Sequence, residues 1–130
     1  MLEASTGIRC MRDPTRGGLV TALNDFAVQS NTGIEVDEEA VPVNSAVLAA
    51  CELLGLEPMH IANEGKLVAV VPAEDAGRII GAMKEDKYGT GAVAIGRVVA
   101  EHPRRVVMKT VMGSSRILDM PAGELLPRIC

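Results

Sequence analysis

The sequence predicts a layered α/β domain with a mixed sheet rather than a doubly wound one. Two observations carry this. Segments of helical apolar period alternate with short apolar runs, in the order helix, strand, helix, strand, helix and then two or three strands, with Gly and Pro between them. The core must also be aliphatic, because Phe26 and Tyr88 are the only large aromatics in 130 residues. A chain of that length buries roughly two thirds of its unfolded surface, enough for one domain.

The first helix is expected over residues 17–31, where Leu19, Val20, Leu23, Phe26 and Ala27 recur on one face. In TGIEVDEEAVPV, apolar Ile34 and Val36 alternate with acidic Glu35 and Asp37, the pattern of a half-exposed strand followed by a turn. A second helix begins after Asn44, a favourable cap, and stops at Gly55, with Val47, Leu48, Cys51 and Leu54 facing inward. The run KLVAVV over 66–71 lacks alternation, as a strand covered on both faces would. Pro72 ends it, and AEDAGRIIGAMKE makes a third helix with Glu74 and Asp75 in its first turn and Ala76, Ile79, Ile80 and Met83 inward. Strands are then expected within YGTGAVAIGRVVAE, RRVVMKT and SRILDM. After Met120 the pattern dissolves into PAGELLPRIC, read as a flexible, extended tail over 121–130 following a domain over 1–120. Ten residues reach about 33 Å at ~3.3 Å each, so the terminal thiol of Cys130 could visit a site away from the domain's edge.

A net charge of -4 and a pI near 5.2 argue against a nucleic-acid-binding surface, which needs a basic stripe. The Arg104-Arg105 pair after Pro103 reads as a solvated strand end. Neither a spanning helix nor a signal peptide is expected, so no membrane association is predicted and the chain reads as cytoplasmic. Cys10, Cys51 and Cys130 are widely spaced, which suggests neither a disulfide framework nor a zinc site. Cys51 lies on an apolar helix face as a small hydrophobe. Cys130 is not in the fourth-from-last position that prenylation requires.

Two motifs stand out. In MRDPTRGGL, Asp13 or Thr15 can cap the first helix, Pro14 is tolerated there, and Gly17 with Gly18 lets backbone approach a ligand. Free amides at a helix start, joined by the Arg16 guanidinium, form a plausible phosphate contact; an ordinary capped helix with a surface arginine is the plainer alternative. In MHIANEGKLVAVV, the polar turn at 63–66 precedes the apolar strand. A carboxylate at the mouth of a buried strand has its pKa raised by desolvation and can act as a general base, which makes Glu64 a candidate; a solvated turn residue is the alternative. His60 and His102 have no partners at metal-ligand spacing and read as structural or exposed, so no metal ligand is assigned.

With MRDPTRGG, ANEGKLVAVV and the terminal PRIC together, the chain resembles the C-terminal half of the HypE family. These are the carbamoyl dehydratases of hydrogenase maturation, within the aminoimidazole ribonucleotide (AIR) synthetase and selenophosphate synthetase superfamily. The resemblance covers essentially the whole chain, and PRIC is its specific part. It implies a three-layer α/β/α domain with a mixed sheet, like the AIR synthetase C-terminal domain. It also implies that a carbamoyltransferase, HypF, loads Cys130 with a carbamoyl group, which ATP-dependent loss of water converts to a thiocyanate. The cyanide then passes through a HypC–HypD assembly complex toward a nickel–iron hydrogenase.

By the same resemblance Glu64 is the base, and Asp13, Thr15, Arg16, Gly17 and Gly18 belong to the nucleotide-binding element. ATP and magnesium would be held mainly by an N-terminal domain that this sequence lacks, in a protein expected to be a homodimer. The chain alone is then expected to be inactive, and MLEASTGIRC looks like a cut near the domain junction. Two other readings stay open: a phosphotransfer enzyme of the same superfamily acting on a small soluble substrate, and a non-catalytic module whose tail docks through Leu125, Leu126 and Ile129.

Overall fold

The computed structural model describes residues 1–120. Its elements are β1 (Cys10–Arg12), α1 (Gly18–Ser30), β2 (Gly33–Asp37), α2 (Ser45–Leu54), β3 (Val68–Val70), α3 (Ala73–Lys84), β4 (Gly96–Val99), β5 (Val106–Lys109) and β6 (Ser115–Ile117), with 3₁₀ turns at Glu38–Ala40 and Pro58–His60.

The strands form two sheets. The larger runs β4-β2-β5-β6 and is mixed. In it β2 pairs antiparallel with β4, Ile34 opposite Val98, and parallel with β5, Ile34 opposite Val106. A parallel neighbour cannot be reached by a tight turn, so α2, β3 and α3 occupy the long connection. The smaller sheet is an antiparallel ribbon of β1 and β3, with Met11 opposite Ala69.

The core forms where α1 lies on one face of the mixed sheet. The alternation in β2 sends Ile34 and Val36 inward, where they meet Val20, Leu23 and Ala27 of α1 and Val106, Met108, Leu118 and Met59. Val20, Val106 and Met108 are fully buried, and burying a side chain of this kind stabilises by about 1.5–3 kcal/mol. The opposite face carries Glu35, which accepts hydrogen bonds from Arg97 and pairs with Lys109 at 3.2 Å. The Arg97 hydrogen bonds, then Lys109, hold the Glu35 carboxyl below its ordinary range.

The mixed α/β class, the mixed sheet and the three helices agree with the sequence reading. Asn44 caps α2, its Oδ1 accepting from the Ala46 amide at 2.9 Å, and Gly55 ends the helix with φ 64°.

Four local expectations need correction. First, β1 was not anticipated; it exists through its pairing with β3 rather than through a pattern of its own. Second, β3 is half-buried along its length and Leu67 is exposed, because the ribbon gives it one partner strand and no cover on its outer side. Third, of the α2 face only Cys51 is buried; Val47, Leu48 and Leu54 are exposed, since α2 lies at the surface against the Pro58–His60 turn. Fourth, Ile79 is the buried residue of α3, while Ala76, Ile80 and Met83 are half-buried. That helix is fastened instead by Asp75, which accepts from the buried Ser5 hydroxyl and from Arg78.

Candidate functional site

The MRDPTRGG segment leaves β1 and turns into α1 through two consecutive left-handed glycines, Gly17 at φ 68° and Gly18 at φ 63°. Gly17 is itself the helix cap, so neither Asp13 nor Thr15 caps α1 as the sequence suggested, and no side chain bonds to the cap amides. The physical reason is the double-glycine turn, which separates both residues from the first helical amides. Each glycine is needed. A Cβ on Gly17 would sit 2.0 Å from Thr21 Oγ1, and one on Gly18 would sit 2.5 Å from the Met59 carbonyl oxygen and 2.6 Å from that of Ile61. Gly18 is buried, and its missing side chain serves close packing of α1 on the Pro58–His60 turn. Arg16 and Asp13 are exposed beside the uncapped helix start, Thr15 is half-buried and Pro14 is buried. Arg12 is fastened by an ion pair to Asp25 of α1.

The second motif meets the first. The Asn63 amide donates to the Pro14 carbonyl at 3.0 Å, and Asn63 Oδ1 accepts from Lys66 Nζ at 2.9 Å. Glu64 follows on the exposed bend, next to Gly65 at φ 70°. The desolvation expected for Glu64 is therefore not present. Its chain neighbours are solvated because β3 begins only at Val68.

The end of the described chain comes to the same place. The Leu118 amide donates to the Val106 carbonyl at 2.9 Å, and the Leu118 carbonyl accepts from Asn24 Nδ2 at 2.8 Å. One residue on, His60 Nε2 is 3.4 Å from the Asp119 carbonyl oxygen, and His60 Nδ1 is 3.3 Å from Glu57. Cys130 and the tail expected over 121–130 lie outside the described residues.

Of the other cysteines, Cys51 is buried, and burial pushes the half-buried Cys10 thiol's pKa up against a smaller opposing effect from the Val70 backbone. His102 is exposed in a turn at φ 54°. Among the described residues no group of three or more His, Cys, Asp or Glu is placed to hold a metal, and no helix is long and apolar enough to cross a membrane.

The sequence reading passed over Asn24 and the Pro14–Asn63 link, and it took His60 as structural or exposed without its contact to Asp119. Asn24 left a trace, being a polar residue on the α1 face that carries Val20, Leu23 and Ala27. The other contacts join distant segments and leave none.

The uncapped α1 start, with free amides and the exposed Arg16 guanidinium, suits an anion such as a phosphate. The chain belongs to the family of AIR synthase related proteins, C-terminal domain, whose pattern matches residues 1–109. Within that class the chain is similar to carbamoyl dehydratase HypE. It is 53% identical to the HypE of Azotobacter vinelandii over 130 residues, all of this chain and 38% of that protein. It is 56% identical to the HypE of Bradyrhizobium diazoefficiens over 124 residues, 95% of this chain and 36% of that protein. A crystal structure of hydrogenase maturation protein HypE in complex with ATP superposes with a TM-score of 0.90 at 43% identity, covering 100% of this chain and 40% of that one. The HypE of a HypE–HypF complex superposes at 0.87 with 39% identity, covering 92% and 39%. The chain thus spans under two fifths of the length of the curated relatives named here.

Proposed function

We propose that this chain is the C-terminal part of an ATP-dependent carbamoyl dehydratase. Residues 1–120 would serve as the domain and 121–130 as the arm that carries the substrate on Cys130. The observation that supports this best is the convergence of three distant segments. The Asn63 amide bonds to Pro14, Gly18 lies against Met59–Ile61, and Asp119 lies beside His60. The arm therefore starts next to the anion-suited helix end and the Glu64 bend. Similarity to HypE over the whole chain points the same way.

In this reading a HypF-type carbamoyltransferase loads the Cys130 sulfur with a carbamoyl group, a partnership supported by the HypE–HypF complex. ATP with magnesium, when bound, supplies the phosphoryl group with which the carbamoyl oxygen departs as phosphate. Arg16 and the first α1 amides, with Gly17 and Gly18 shaping the turn and Asp13 and Thr15 flanking it, receive phosphate oxygens. Glu64 takes one proton from the carbamoyl nitrogen and the other leaves to solvent. The carbon–oxygen bond breaks and a carbon–nitrogen triple bond is left on sulfur as the thiocyanate. Most nucleotide and metal ligands would come from the remaining three fifths of the protein, so this chain alone would be inactive. The full protein would be a cytoplasmic homodimer, and the cyanide would go to a HypC–HypD complex for a nickel–iron hydrogenase.

The test uses the full-length protein with a carbamoyl donor system and intact-protein mass spectrometry. Cys130→Ala is expected to gain no carbamoyl mass; normal loading of that variant would exclude the carrier role. Glu64→Gln is expected to load normally but to lose water about 10²–10⁴ times more slowly, the usual contribution of a general base.

A further inference from the structure

We propose that Asn24 and His60 are positioning residues that clamp Leu118 and Asp119, the stem that leads to Cys130, at a fixed place beside the site. This rests on the carrier reading of Cys130 given above.

Asn24 is 8% exposed on the core side of α1, where an amide is costly unless satisfied. Its Nδ2 donates to two carbonyls, Val20 at 2.9 Å within its own helix and Leu118 at 2.8 Å. The second bond joins residues 94 apart in sequence and holds the chain two residues before the described part ends. Leu118 is 1% exposed and bonded through its amide to Val106, so it is held by side chain, N–H and C=O together.

The next residue is held by a second group. His60 Nε2 reaches the Asp119 carbonyl, while its Nδ1 side faces Glu57, which also forms an ion pair with Arg116 of β6. The ring donates to Asp119 through a protonated Nε2 and to Glu57 through a protonated Nδ1. The Pro58–His60 turn that bears this histidine is the turn on which Gly18 packs. The stem and the phosphate-suited helix start thus share one piece of backbone as their reference.

Fixing the origin of a tethered reactant raises its effective concentration at a nearby site and leaves encounters with an external partner unaffected. The clamp should therefore act on the intramolecular step alone.

The experiment compares full-length wild type, His60→Ala, His60→Gln and Asn24→Ala. It reads three quantities: the rate at which Cys130 gains a carbamoyl group from the donor enzyme, the single-turnover rate of water loss from preloaded protein at saturating ATP, and Tm. For His60→Ala we expect water loss about tenfold slower with loading and Tm unchanged. His60→Gln, whose amide also donates to a carbonyl, should recover most of the rate. Asn24→Ala should show the same split if it folds, and the His60 pair decides the matter if it does not. Equal slowing of both steps, or no slowing of water loss in His60→Ala, overturns the clamp. A wild type that loads but never loses water defeats the dehydratase reading, and one that never loads defeats the carrier role; the clamp then falls with either.

Discussion

At the scale of single residues, Gly18 shows how a motif glycine can be read as special while one reason for it, close packing, stays hidden. The doublet signalled a position needing freedom, and φ 63° bears that out. Which neighbour comes close, the Met59 and Ile61 carbonyls, depends on a turn some forty residues downstream and is invisible in a local window. Gly18→Ala must adopt a left-handed conformation and displace backbone, so it is expected to destabilise by about 2–4 kcal/mol, combining conformational strain with overpacking. Urea unfolding followed by circular dichroism measures this. Glu64 is the converse case. Its place on a polar turn was legible, but its solvation was not, because that depends on how much of KLVAVV joins the ribbon. Cys51 was legible throughout: a thiol on the apolar side of a helix is buried here as expected.

At the scale of elements, helices and longer strands were readable where one face does the work. α1 keeps Val20, Leu23 and Ala27 inside, and β2 keeps Ile34 and Val36 inside, because both pack on the same core. The periods of α2 and α3 were equally visible, yet among the described residues the apolar face of α2 is largely exposed and that of α3 is mostly half-buried, since period reports a face and not what lies against it. β1 had no period to show, being three residues stabilised by a partner far along the chain. The core elements also predict their own sensitivity. Met108 on β5 is fully buried between α1 and the sheet, and Met108→Ala is expected to cost about 2–5 kcal/mol with an unchanged m-value, read from denaturant titration.

At the scale of the whole molecule, two carboxylates tie separate parts together and set the response to acid. Asp75, held below its ordinary range first by Ser5 and then by Arg78, fastens the N-terminal segment to α3. Glu35, held down by Arg97 and Lys109, links β2 to both its neighbours. The native state binds these protons less readily than the unfolded chain. Their contributions are therefore complete above the ordinary carboxylate pKa of about 4 and are lost as pH falls through the lower folded values. Wild type should lose stability below about pH 4, and Glu35→Gln should flatten part of that acid limb when urea midpoints are measured across pH. The central place of β2 governs events in time as well. Its partners are β4 and β5, with Ile34 waiting for Val98 and Val106, so during synthesis α1 can cover the inner face of β2 while both of its hydrogen-bonding edges stay unpaired. Closing such distant pairs costs chain entropy before any contact is gained, so folding is slow and late. A nascent chain halted before residue 106 leaves the β5 edge of β2, over residues 34–37, open to chaperones.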